Sequence, residues 1–475
     1  MTTPLSFSFK ASYGIGQLST GAVNMMTRIC LFFFYSQVLG LSPFLAGIAT
    51  ASATVFDAIT DPIIGSLSDN WRSKYGRRFP FMLTGTLPAA ICVFLLFTPL
   101  VEGEQLLFVW LIVFACLTNF FTTLFIIPHY ALGAELSEDY KERASIVTFR
   151  NFFHFSGYLL VMFLAFGYFF APSQEFSNGQ LNQAVYSPFA LLVAVIYTLF
   201  TCLSLWQTKS IIPALKAAPD KQENHGLSSL KTIFTDVFEA LSNDSYRKLL
   251  LGNLFLLIGT GLMFTLELYA LTFFWGLSGE YSLMLVGLAF YPGAYIGIAL
   301  TQYLISKLGK MNVMTWGVVF WILFVIIPIL LRLAGYFPAN DSYLLVPVLL
   351  AFRVLQGMAS VPVDNAYGSA MADAADAQEL KSNKRQEGVF FAAAYFSMKA
   401  SYGIGSAVAG LALWFIGWPT DSEAINASHI YSLGMILGPV VACFGLVSAY
   451  FYNQYDLSEE RHAEILAELK LRRAG

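Results

Sequence analysis

Charge is what this chain has least of. Asp, Glu, Lys and Arg make up 12% of its 475 residues, about half the share in a soluble globular protein. That scarcity excludes a water-facing surface of ordinary extent. Lys and Arg number 27 against 30 Asp and Glu, for a net charge of −3, and no basic tail offers itself to nucleic acid. Cysteine is sparse as well: Cys30, Cys92, Cys116, Cys202 and Cys443 all fall in apolar runs without metal-ligand spacing. They read as unpaired packing residues. No Ser-His-Asp grouping or Cys/His ligand set occupies the polar turns, which argues against a membrane-embedded enzyme. A receptor would keep a large soluble domain, and the longest polar segment here is only 208–246. No cleavable leader is expected, because the start MTTPLSFSFK is polar and no small-residue cleavage site follows the first apolar run.

Apolar runs are what the chain has instead. It is 57% hydrophobic and 16% aromatic, with a mean hydropathy of +0.62. Runs long enough to cross a bilayer recur at 12–39, 43–67, 79–101, 106–130, 147–171, 186–207, 247–276, 281–304, 312–335, 342–366, 388–416 and 429–453. The expectation is an all-α membrane protein with twelve transmembrane helices in two six-helix bundles. Residues 1–207 form the first bundle, 208–246 a linker, 247–455 the second bundle and 456–475 a tail. Within the linker, Leu227–Leu241 reads as an amphipathic surface helix. Lys10, Arg72, Lys74, Arg77, Arg78, Lys141, Arg143 and the linker lysines fall on one side of these runs, with Lys381, Lys384, Arg385 and the tail. By the positive-inside rule both termini are expected in the cytoplasm, which for a bacterial chain means a multi-pass inner-membrane protein.

The costliest stretch is Asp57–Arg78, FDAITDPIIGSLSDNWRSKYGRR from Phe56 on. Asp57 and Asp61 are one helical turn apart and share a face. An ionised Asp near the bilayer centre costs roughly 2.5–3.5 kcal/mol even on the mild insertion scale. Two on one face demand a cation, a proton or a basic side chain between them. Arg28 and Lys399 lie near mid-membrane in spans one and eleven, where a base must face a cavity or a carboxylate. Arg28 could neutralise Asp57 or Asp61, or it could bind an anionic group on a substrate. Arg150 and His154 lie one turn apart in span five, and His154 reads as a packing histidine. Arg353 is expected to pair with Asp364 or with a helix carbonyl. The two halves echo each other weakly, Pro128-His-Tyr-Ala-Leu-Gly133 in span four against Pro362-Val-Asp-Asn-Ala-Tyr-Gly368 in span ten. This fits two related bundles that open to alternate sides.

SYGIGQ at 12–17, YSQVLGLSP at 35–43, the DAITDP run from Asp57 to Pro62 with Gly65, and Gly76-Arg77-Arg78-Phe-Pro80 together form a pattern. Ile127-Pro128, Met371-Ala-Asp373-Ala-Ala-Asp376 and Met398-Lys399 extend it. The chain resembles the glycoside–pentoside–hexuronide:cation symporters (melibiose-permease-like) of the major facilitator superfamily over nearly its whole length. The resemblance implies secondary transport without enzymatic activity. It implies a coupling cation, Na+ or H+, at Asp57 and Asp61 with Thr60 and Thr123 alongside, and no cofactor beyond that ion. Lys399 matches a family lysine close to the cation and substrate sites, while the family's substrate-contacting arginine falls one residue out of register with Arg150. Asp69, Arg77 and Arg78 would brace a cytoplasmic gate, with Asp373, Asp376, Arg385 and Glu387 as the matching network in the second half. Sugar-transporting members carry acids where this chain has Gly21 and Ile126. That loss argues against a galactoside, and the extra bases favour an anionic solute such as a hexuronide. The alternative cargo is a lysophospholipid or other amphiphile. Expected partners are that solute and the bilayer, with no nucleic acid, for a chain working as a monomer.

Overall fold

In hydrocarbon a backbone N–H or C=O has no water to bond, and a helix satisfies both groups locally. The computed structural model describes residues 5–137, 139–210, 243–277, 280–382, 387–457 and 459–474, and every regular element among them is helical. Nine helices among the described residues are long and apolar enough to cross a membrane. That count falls short of the expected twelve. Part of the difference lies at Gly309, where one continuous run, Met284–Leu333, turns a corner with φ 76° and so contains two helices. The amphipathic helix expected at 227–241 lies outside the described residues.

The chain divides into two compact units. The first comprises Met1–Leu230, Ser278–Met284 and Leu413–Ile425; the second comprises Lys231–Leu277, Leu285–Ala412 and Asn426–Gly475. The helices of the first unit are α1 (Phe7–Gly14), α2 (Gly16–Phe33), α3 (Pro43–Asn70), α4 (Phe79–Leu96), α5 (Glu104–Glu135), α6 (Tyr140–Leu164) and α7 (Tyr186–Thr208). The second unit holds α8 (Asp244–Thr265), α10 (Phe290–Leu333), α11 (Leu345–Ser382) and most of α12 (Glu387–Phe415), while α9 (Glu280–Leu288) begins in the first unit and ends in the second. It continues with α13 (Ala427–Met435), α14 (Val441–Asn453) and α15 (Glu459–Ala474). Helix starts follow the local chemistry. The Asp139 carboxylate caps α6 by accepting from Glu142 N at 2.8 Å, and Asn243 caps α8 by accepting from Tyr246 N at 3.1 Å. Gly40, at φ 78°, supplies the left-handed turn before Pro43 opens α3.

Small residues bring the helices together, as expected where lipid tails give no hydrophobic drive between them. A Cβ on Gly21 of α2 would meet the His154 carbonyl oxygen of α6 at 2.2 Å, and one on Gly157 would meet Leu18 O at 2.2 Å. The second unit repeats the device between α10 and α11. A Cβ on Gly293 would meet Val354 O at 1.9 Å, and one on Gly357 would meet Phe290 O at 2.1 Å. Both crossings are backbone against backbone, so neither tolerates even a methyl group without a shift.

Candidate functional site

Helices α3 and α5 run alongside one another in the first unit, and a ladder of contacts fixes their register. The Asn119 amide donates to Ala53 O at 3.0 Å. One turn on, Thr123 meets Asp57 and Asp61; one turn further, Ile127 lies over Gly65, where an added Cβ would meet its side chain at 3.5 Å. The middle rung carries the chemistry. The Thr123 hydroxyl oxygen lies 2.9 Å from Asp57 Oδ1 and 3.0 Å from Asp61 Oδ1. Asp61 and Thr123 are buried and Asp57 is half-buried. Thr60 is buried beside them, but its hydroxyl donates to Asp57 O in its own helix at 3.1 Å. Its proton is therefore spent on the backbone, while its lone pairs stay available. Hard oxygen donors in this arrangement suit a sodium ion or a shared proton.

A second group surrounds Arg150 in α6. Its guanidinium lies over the Tyr130 ring at 4.2 Å, and its Nε is buried without a hydrogen-bond partner. Among the described residues no carboxylate pairs with it. From there a hydrogen-bonded chain runs through α1, α5, α2 and α6. His129 Nε2 lies 3.0 Å from Tyr13 O, and His129 Nδ1 lies 3.0 Å from Gln17 Nε2. A carbonyl can only accept and an amide nitrogen can only donate, so the His129 ring carries its single proton on Nε2. Gln17 Oε1 accepts from the Thr20 hydroxyl at 3.0 Å. Thr20 is 3.4 Å from His154 Nδ1, and His154 Nε2 is 3.1 Å from the Tyr158 hydroxyl. Both His154 ring nitrogens thus have partners, as expected of a satisfied packing histidine, and the ring lies within electrostatic reach of both Arg28 and Arg150. Arg28 itself is half-buried in α2.

The missing acids now have a physical reason. Gly21 sits in the α2–α6 crossing, where any side chain would collide with the His154 carbonyl. Ile126 packs against an apolar cluster that includes Tyr13, Met82, Phe125 and Leu132. Gly21 has no room for a carboxylate, and at Ile126 a carboxylate would give up this apolar packing.

In the second unit Lys399 is half-buried on α12, its ammonium 5.6 Å from the Tyr395 ring centroid. Arg353 does not pair with Asp364 or with a carbonyl. It bonds Glu267, just past the end of α8, and lies 3.4 Å from Gln356 Oε1. The sequence pointed to Asp364 because it lies on the same helix, and Glu267 comes from a different one.

Charge also collects at the basic end of each unit. Arg78 Nη1 meets Asp69 at 2.8 Å, Arg78 Nε donates to Glu135 Oε1 at 2.8 Å, and Arg77 Nη2 reaches the same oxygen at 2.6 Å. Glu135, at the end of α5, is the hub, and the sequence reading had missed it. In the second unit Lys310 pairs with Asp373. His462 of the tail helix α15 stands 3.0 Å from Asp376 and 3.6 Å from Asp373. Lys310 and His462 are additions to the expected set. Arg385 and the side chain of Glu387 lie outside the described residues.

Residues 12–459 match the family model for MFS/sugar transport proteins. The chain is 25% identical to the putative glycoside/cation symporter YagG of Escherichia coli, covering all of this chain and 97% of that one. It is 23% identical to the sodium-dependent lysophosphatidylcholine symporter 1-B of Danio rerio, covering 96% and 88%. Among solved structures, an inward-facing bacterial homologue of the lysosomal transporter Spinster superposes with a TM-score of 0.66 at 14% identity. That match covers 97% of this chain and 99% of the other, and it supports the fold.

Proposed function

The chain belongs to the MFS/sugar transport protein family, and from that premise we propose that this multi-pass membrane transporter carries a small anionic solute of the glycoside or hexuronide type by cation-coupled symport. Its basic face, with both termini, would lie in the cytoplasm of a bacterial inner membrane. The observation that carries the coupling reading is the Thr123 hydroxyl held against both Asp57 and Asp61. A hydroxyl has one proton and can satisfy one carboxylate at a time. Two carboxylates on one face call for positive charge beside them, which a sodium ion, a proton or a base can supply, with Thr60 and Thr123 as neutral oxygen donors to an ion. Arg28 would set the charge balance in the first unit, so binding or losing the cation changes how strongly that base holds an anion, and Lys399 would be the corresponding base of the second unit.

The anionic character of the cargo rests on Arg150. A guanidinium pinned on Tyr130 with its Nε unbonded costs free energy until something accepts from it. A carboxylate, sulfate or phosphate does this well. The same chemistry admits a lysophospholipid headgroup, the second reading, which the likeness to a lysophosphatidylcholine symporter favours.

Purified protein in proteoliposomes separates these readings. Asp57→Asn and Asp61→Asn should each abolish concentrative uptake of radiolabelled D-glucuronate under an imposed sodium or proton gradient, while inserted, monodisperse protein is kept. Wild-type accumulation in either variant would sink the coupling assignment. Accumulation of labelled lysophosphatidylcholine, with none of glucuronate, would favour the lipid reading.

A further inference from the structure

Asp364 is the one mid-helix acid that the reading above leaves without work. It lies two residues past Pro362 in α11 and is exposed, as is its neighbour Asn365. Among the described residues it makes no hydrogen bond and no ion pair. Arg353, its expected partner, is taken by Glu267, and Lys310 is taken by Asp373. Gly368, one turn on along the same face, would meet nothing within 4 Å if it carried a Cβ. That stretch of α11 therefore borders open space.

An unpaired carboxylate there argues for a water-filled space over lipid. Facing acyl chains would cost an ionised Asp roughly 2.5–3.5 kcal/mol with no partner to offset it. Asp364 is nine positions from Asp373 of the basic-end charge layer, and Asp61 is eight positions from Asp69 of the first unit's layer. At about 1.5 Å per residue, each carboxylate sits at a similar depth behind its own unit's layer.

The groups around Asp364 are uncharged and polar. The Asn365 amide nitrogen donates to Thr301 at 3.3 Å, and its carbonyl oxygen is an acceptor. Tyr367 and Tyr452 stand within electrostatic reach, with Asn253 beside both of their hydroxyls. A carboxylate can only accept, and Asn365 offers another acceptor beside it. A ligand here must bring donors. Adjacent acceptors flanked by a phenol match the vicinal hydroxyls of a sugar.

We infer that Asp364 and Asn365 form a cargo-binding site in the second unit that reads the hydroxyl groups of a sugar-like solute. The inference rests on the proposed transport function and narrows its substrate class. The pairing of carboxylate with hydroxyl would supply the recognition that Gly21 and Ile126 cannot.

Binding of methyl β-D-glucuronide and its monodeoxy analogues to the purified full chain, followed by calorimetry and thermal shift, tests this. Wild type should prefer the parent over at least one deoxy analogue by about tenfold or more, the worth of a charged hydrogen bond. Asp364→Ala should lose that preference. Asp364→Asn, which keeps an acceptor and the side-chain shape, should retain part of it. Size-exclusion profiles of both variants confirm folding. Wild-type discrimination in Asp364→Ala overturns this site alone. If Asp364→Asn is as damaging as Ala and lysophosphatidylcholine binding falls with it, the carboxylate holds an ammonium and the hydroxyl reading is overturned. Wild type indifferent to every glucuronide overturns this inference and the hexuronide reading together.

Discussion

Thr123 has one proton and two carboxylates to give it to, and that mismatch makes a prediction at the scale of single residues. Thr123→Ser keeps the hydroxyl and should keep the cation dependence of uptake. Thr123→Ala removes it and should weaken apparent cation affinity about tenfold, in line with a hydrogen bond to a charged group. Equal cation dependence in both variants, measured as uptake against sodium concentration and pH, would remove Thr123 from the site. The two Asp residues were legible in sequence because helical periodicity alone places them on one face. Thr123 was legible only through resemblance, since nothing local marks one threonine among many in α5. Gly21 shows the opposite case. In sequence it is just an absent acid; in the structure it is the contact that lets α2 touch α6. Gly21→Ala should therefore destabilise by about 1–3 kcal/mol through overpacking, read as a lower unfolding temperature in detergent. An unchanged unfolding temperature would mean that the crossing yields freely.

At the scale of elements, the tail departs most from what its composition suggested. Residues 456–475 read as a charged tail, yet Glu459–Ala474 forms a helix that buries Ile465 and Leu469. Arg472 donates to Leu380 O at 2.8 Å, and His462 inserts between Asp373 and Asp376. Its apolar positions are too few for a hydropathy reading to notice, and its docking depends on acids some 90 residues earlier. The same reason hid Glu135, whose partners lie across a turn in α3–α4 territory. Long apolar periods were read well; short polar contacts between distant segments were not. His462→Ala should loosen this dock. The expected result is faster amide hydrogen exchange across 459–474 and at the end of α11, with the helices of the first unit unaffected. Unchanged exchange at 459–474 would show that Ile465, Leu469 and Arg472 hold the helix without the histidine.

At the scale of the whole molecule, the two units share a plan but differ in charge. Each has a glycine crossing and a layer of ion pairs at its basic end, and each places acids a few turns behind that layer. The first layer is the more tightly wired, because Glu135 alone accepts from both Arg77 and Arg78 while its second oxygen is buried and unbonded. A transporter that opens toward the basic face must loosen such a layer in every cycle, so its strength should govern rate as well as stability. Glu135→Gln keeps the shape and removes the charge, leaving two arginines short of an acid. Breaking such a pair costs about 3 kcal/mol, the low end for pairs that are not wholly buried. The expected phenotype is a lower unfolding temperature and altered uptake velocity, with substrate affinity in the binding assay unchanged. Charge exchange provides the control. Arg78→Glu alone should be worse than Arg78→Glu combined with Glu135→Arg, since the double variant restores one opposite-charge contact. Non-additivity of that kind marks a direct interaction. If the double variant is simply the sum of the two single losses, Arg78 and Glu135 act independently and the layer is not a brace. If affinity falls along with rate, the layer is coupled to the cation site on the same helices, α3 and α5, and the gate and the site move as one element.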